Sequence, residues 1–241
     1  QDLAAGRGVG LIDPHGDLCE RLLCLVPADA VERTIYLDPG DPKWIPLWNP
    51  FGVGSDYKVG DVADGMIDVF KSFVDNWGDR LEHILRNLFI ALLSRPQSTL
   101  LDAADLLRPR STDRFEALRR RFEEKVDDPS VLEFLQTELA GYRNEELSPP
   151  RNKLSKLLLA GTVSLMFSQP ESAFHLGEVM DKQMVLLVNL AQIGSQVRGI
   201  TGSMLISLFR QETLRRSGMP VSQRRRFHIY CDEAHRFVTD S

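Results

Sequence analysis

The stretch FHIYCDEAHRF, Phe227 to Phe237, is a β-rich apolar run that stops on two adjacent carboxylates, Asp232 and Glu233. Its branched and aromatic residues, ended by charge, predict a short strand. At the C-terminal end of a parallel strand such carboxylates face the crevice where α/β proteins bind ligands. Burying two neighbouring negative charges without a cation or a donor is costly, so the pair suits a magnesium ion held nearby. The plainer reading is an exposed strand end, with Glu233 opening a helix and meeting its dipole. Where such a pair serves a nucleotide, one carboxylate faces Mg2+ and the next a water, and a phosphate cradle G-x-x-x-x-G-K-[ST] accompanies them. None of Lys43, Lys58, Lys71, Lys125, Lys153, Lys156 and Lys182 follows a glycine, so the cradle is absent from this chain.

Three further runs share the character of this strand: GVGLID (8–13), RTIYLD (33–38) and QMVLLVNL (183–190). The first two end at once on Pro and Gly punctuation. Near-continuous apolarity predicts strands buried on both faces of a mainly parallel sheet, an α/β fold. Between 190 and 227 a helix is expected, capped by Thr201, with Met204, Leu205, Leu208 and Phe209 on its apolar face and Gly218 as its stop. The last two strands and this helix make a β-α-β crossover.

Roughly 140 residues separate the second strand from the third, against about 4 to 6 for an ordinary connection, so something folds there. Leu81, Ile84, Leu85, Leu88 and Leu92 mark one amphipathic helix. Asp128-Pro129-Ser130 is expected to open a second through Leu132, Leu135 and Leu139, and Ser148-Pro149 a third through Leu154, Leu157 and Leu158. The chain thus divides into 1–55 as the first part of a core, 56–180 as an all-helical insertion and 181–241 as the second part of the core.

With 241 residues, 43% hydrophobic and 26% charged, the composition is that of a globular protein. A formal net charge of −5 argues against nucleic-acid binding through bulk positive charge and leaves room for a local basic stripe. Cys19, Cys24 and Cys231 form no C-x-x-C pair, which suits a reducing cytosol and suggests neither a disulfide framework nor a zinc site. Apolar stretches such as LFIALL (88–93) are far shorter than the roughly 20 residues that cross a bilayer. The opening DLAAGRG reads as a helix end with its glycine stop, as if cut from a longer chain.

Other candidates are weaker. IDPHGDL (12–18) puts Asp13 at a strand end and His15 in the turn, where they could meet a nucleotide or a neighbouring subunit, although an Asp-Pro-x-Gly turn explains the stretch equally well. GSQVRGITGS (194–203) runs from a strand end to a helix start, a place suited to anions. Arg198 within it is either a phosphate contact or a solvated loop residue. Arg119-Arg120-Arg121 and Arg224-Arg225-Arg226 read as solvated faces or DNA contacts, without the interleaved aromatics of a stacking platform. His83, His175 and His228 lack metal-ligand spacing.

In order, IDPHGDL, TIYLDPGDPKWIPLWNPF, a helical insertion, MVLLVNLAQIGSQVRGITGSMLISLFRQETLRR and FHIYCDEAHRF resemble the conjugative coupling proteins of type IV secretion, within the wider HerA/FtsK class of DNA-pumping ATPases. The resemblance covers nearly the whole chain and is most specific in LDPGDPKWIPLWNPF and in the strand, helix and strand leading into DEAH. It implies a RecA-like ATPase core interrupted by an all-helical domain, ATP and Mg2+ as cofactors, and a homo-hexameric ring that moves DNA. Relaxase or secretion-machinery proteins are the further partners it implies. It also implies a cytoplasmic location, at the inner-membrane face if the parent carries membrane helices upstream. Asp232 matches the residue that holds Mg2+ through water, Glu233 the residue that polarises the attacking water, and Asp13 and Arg198 fall where nucleotide contacts are expected. In that family the phosphate cradle precedes the strand of IDPHGDL, so half an active site is expected here.

Two other readings stay open on the residues alone. DEAH is also the box of superfamily 2 helicases, although there no helical insertion separates the early strands from the box. Alternatively, the insertion is a recognition module for DNA or protein, carried on a degenerate ATPase scaffold.

Overall fold

Gly8–Asp13 (β1), Thr34–Leu37 (β2), Val185–Asn189 (β3) and Phe227–Cys231 (β4) are the strands of the computed structural model, which describes residues 2–54, 56–108 and 113–237. They pair in the order β2-β3-β1-β4, each pair parallel, as in a RecA-like sheet. Parallel pairing brings all four C-terminal ends, and the polar turns that follow them, to one edge of the sheet.

The side-chain period of two divides the sheet's apolar residues between its faces. Leu11, Val185 and Leu187 meet Cys19 of α1 (Asp17–Leu23) on one side, while Ile12, Leu186 and Val188 join the main core on the other. The central strands β1 and β3 are buried throughout. β4 departs from the expected two-sided burial: Ile229 is 41% exposed and Tyr230 48%. Among the described residues it pairs with β1 alone.

Between β2 and β3 the described residues are helical and contribute no strand. α2 (Val59–Phe73) and α3 (Asp79–Ser94) come first, then α4 (Leu100–Leu106) and α5 (Asp113–Glu123). α6 (Pro129–Glu133) runs through a π-helical segment, Phe134–Glu138, into the short α7 (Leu139–Gly141). α8 (Asn144–Leu158), α9 (Thr162–Phe167) and α10 (Leu176–Asp181) complete the helices between β2 and β3. Asp128 caps α6 as expected, its carboxylate accepting from Ser130 N and Val131 N. α8, by contrast, starts before Ser148-Pro149. Glu146 accepts from Arg143 N at 2.9 Å, and burial of Leu147 stabilises the extra turn, so both prolines sit inside the helix.

The crossover helix α11 spans Ser195–Ser217, with Gly194 before it and Gly218 after it. Thr201 is therefore not its cap but a fully buried residue of its second turn. Tertiary packing moves the start forward, because the glycines of the stretch are contact points: a Cβ on Gly199 would lie 2.3 Å from the Phe73 ring, and one on Gly202 2.5 Å from Phe237. The helix leans on α2 as well, Gln211 Nε2 donating to Asp61 O at 3.0 Å. One apolar core consequently runs from the sheet through α11 into the insertion. Residues 2–6 form successive turns rather than a helix end, with Gly6 left-handed at φ 69°.

Ile84, Leu85, Leu88, Phe89 and Leu92 of α3 are wholly buried in this core. Limited proteolysis under native conditions is expected to leave Asp79–Ser94 uncut until the protein unfolds, because cleavage needs local opening. An early cut within α3, located by mass spectrometry, would contradict this packing.

Candidate active site at the strand ends

The turn after β1 is built around one carboxylate. Asp13 is 0% exposed; its Oδ1 accepts from His15 N at 2.9 Å and its Oδ2 from Leu18 N at 2.9 Å and Cys19 N at 3.0 Å. The last two belong to the first turn of α1, so Asp13 caps that helix from four positions before it. Gly16 closes the turn at φ 87°, with the Asn189 amide so close that a Cβ would lie 2.8 Å from its Oδ1. Only glycine combines that backbone with that approach. Both oxygens of Asp13, a residue expected at a nucleotide contact, accept from backbone donors.

The turn after β4 lies beside it. Asp232 N donates to Ile12 O at 3.0 Å, extending the ladder, and Asp232 Oδ1 accepts from Glu233 N at 3.1 Å. Among the described residues no protein donor reaches Asp232 Oδ2. Glu233 takes the left-handed conformation, φ 46° and ψ 48°, uncommon for a residue with a side chain. Its Oε2 meets His15 Nε2 at 3.0 Å and the Arg236 guanidinium. The close approach of His15 to Glu233, helped by the charges of Arg236 and His235, holds the carboxyl below its ordinary range although partial burial opposes this. Phe237 anchors the turn: its ring is buried against Gly202 of α11, and Ser203 Oγ donates to its carbonyl at 2.8 Å.

Arg198 is neither a solvated loop residue nor aimed outward. Its Nε donates to Leu190 O at 3.0 Å, and its Nη2 to Ala191 O at 2.8 Å and Ile193 O at 3.1 Å. Three carbonyls of the β3–α11 connection thus accept from Nε and Nη2 of this half-buried arginine. The basic clusters are similarly engaged in part, Arg119 with Glu116 and Glu123, and Arg224 with the carbonyls of Ser217 and Met219.

Asn189, Tyr36 and Asp38 complete the strand-end cluster and were not among the sequence candidates. Asn189 Nδ2 donates to Tyr36 OH at 2.9 Å while its Oδ1 accepts from Ala191 N at 3.0 Å. Burial pushes the Asp38 carboxyl up, opposed by the Gly40 N–H that it accepts at 2.9 Å. The available signal was positional: each polar residue ends or follows an apolar strand.

Among the described residues no three His, Cys, Asp or Glu side chains are grouped to hold a metal ion. Mg2+ is commonly held by one or two carboxylates, water and substrate phosphates, so Asp232, half-buried with one oxygen clear of protein donors, fits that use. No phosphate cradle in this chain joins it.

No family model and no curated protein matches the chain. Solved structures do. The bacterial conjugative coupling protein TrwBdeltaN70 in its unbound monoclinic form superposes with a TM-score of 0.55 at 18% identity, over 99% of this chain and 52% of that one. The fold is that of a conjugative coupling protein. The plasmid coupling protein TrwB with the non-hydrolysable ATP analogue ADPNP, and the same protein with ADP and Mg2+, each give a TM-score of 0.56 at 18% identity over the same shares. The chain spans about half the length of these coupling proteins. Among its described residues, no helix is long and apolar enough to cross a membrane.

Proposed function

We propose that these residues are part of an ATP-driven DNA translocase of the coupling-protein kind, and that they contribute the carboxylate half of its ATPase site. The observation that carries this reading is the Asp232–Glu233 pair at the C-terminal end of β4, beside the His15 turn, in a chain with a coupling-protein fold. Asp232 is the residue to hold Mg2+ through water, and Glu233 the residue to orient the attacking water and accept its proton. Bound Mg2+ supplies charge neutralisation at the terminal phosphates. Asp13 and Arg198 support nucleotide binding by fixing the β1–α1 turn and the β3–α11 connection. This reading requires a phosphate cradle supplied from outside residues 1–241.

In the same reading the protein works as a homo-hexameric ring around DNA, at the cytoplasmic side of a membrane, with relaxase or secretion proteins as further partners. Residues 56–180 serve as a helical unit inserted into the motor core, joined to it through α2 and α11.

The test is ATP hydrolysis by the full-length protein, expected to need Mg2+ and to rise with DNA. Asp232→Asn is expected to weaken the Mg2+-dependent part of nucleotide binding, read by calorimetry with and without the ion. Residues 1–241 alone are expected to bind ATP weakly and not to turn it over. Turnover by the full-length protein that is indifferent to Mg2+ and DNA, or brisk turnover by residues 1–241, would displace this reading.

A further inference from the structure

We propose that His15 is the positioning residue for Glu233, clamping its carboxylate to the sheet so that one oxygen stays free for the attacking water; this rests on the ATPase reading above. His15 and Arg236 both contact Oε2 of Glu233. Among the described residues, Oε1 has no protein donor. A carboxylate held through one oxygen keeps its orientation and can still accept from water with the other.

The two clamps differ in what they fix. Arg236 lies three residues on, within the same 3-10 turn (Ala234–Arg236), and moves with Glu233. His15 comes from the turn after another strand. Its backbone N–H is held by the buried Asp13 carboxylate at 2.9 Å, and Gly16 beside it packs against the Asn189 amide. This turn is tied to both central strands, so among the described residues the 3.0 Å contact from His15 Nε2 is what references the Glu233 carboxylate to the sheet. Glu233 needs such a reference: its side chain is one-third exposed, and its left-handed backbone leaves it at a bend and not within a regular element. A flexible side chain at a bend populates several rotamers unless an outside contact selects one.

Losing that selection should lower turnover without touching nucleotide affinity, because misplacement of a reacting group by about 1 Å can cost on the order of 10²-fold in rate. The first measurement needs no nucleotide. A crystal structure of the nucleotide-free full-length protein carrying His15→Ala is expected to show the Glu233 carboxylate moved or spread over rotamers, with the Asp13 turn unchanged. Glu233 retained in place by Arg236 alone overturns the proposal.

The second measurement is steady-state ATP hydrolysis with DNA. His15→Ala is expected to lower kcat by about 10- to 100-fold at unchanged KM. His15→Gln, which keeps an N–H donor, is expected to recover most of the loss. In a Glu233→Gln background, His15→Ala is expected to cost nothing further. Normal kcat for His15→Ala beside an inactive Glu233→Gln defeats the role of His15 and leaves the ATPase reading intact. An active Glu233→Gln defeats both.

Discussion

Glu233→Gln in the full-length protein is expected to bind ATP as the unaltered protein does and to hydrolyse it about 10² to 10⁴ times more slowly, the usual worth of a positioned general base. In transition-state terms that is roughly 3 to 5 kcal/mol, at about 1.36 kcal/mol per factor of ten. The substitution keeps the length and shape of the side chain. The amide oxygen of glutamine can still accept from His15 and Arg236 where Oε2 now sits. The position facing water then becomes an NH2 group that takes no proton. Binding and turnover should therefore separate, and measuring both by calorimetry and a phosphate-release assay with DNA decides the matter. Hydrolysis near the unaltered rate would make the carboxylate pair no more than a strand end.

Asp13→Ala is expected to produce the largest loss of stability among single changes at the site, about 2 to 3 kcal/mol, because it leaves the buried N–H of Cys19 and the part-buried N–H groups of His15 and Leu18 without their acceptor. The carboxylate is 0% exposed in the intact protein. Asp13→Asn retains one oxygen and should lose about half as much, its amide nitrogen facing donors where Asp13 presents an acceptor. Equilibrium unfolding in urea measures both, a lower midpoint at unchanged slope being the expected signature. A midpoint unmoved by Asp13→Ala would show that the turn does not depend on its cap.

The strength of the sequence signals followed their range. β1, β2, β3 and β4 were legible because a short apolar run with punctuation is a property of neighbouring residues, and the α3 face at Leu81, Ile84, Leu85, Leu88 and Leu92 was legible for the same reason. The starts of α8 and α11 were not. Pro149 and Thr201 are good local start signals, overridden by burial of Leu147 and by the packing of Gly199 and Gly202 against Phe73 and Phe237. Helix ends are settled by small energies that tertiary contacts exceed.

By itself, then, the sequence determined the α/β class, the run of helices between β2 and β3, the absence of a Gly-Lys cradle and the carboxylate pair at the end of a strand, since composition, period and adjacency are written along the chain. Only the tertiary structure decided the order β2-β3-β1-β4, the engagement of Asp13 and Arg198 with backbone groups, and the meeting of His15 with Glu233. A polar side chain bonds whichever donor or acceptor folding leaves unpaired within its reach. For residues at positions 15 and 233 that reach exists only once β1 and β4 lie side by side.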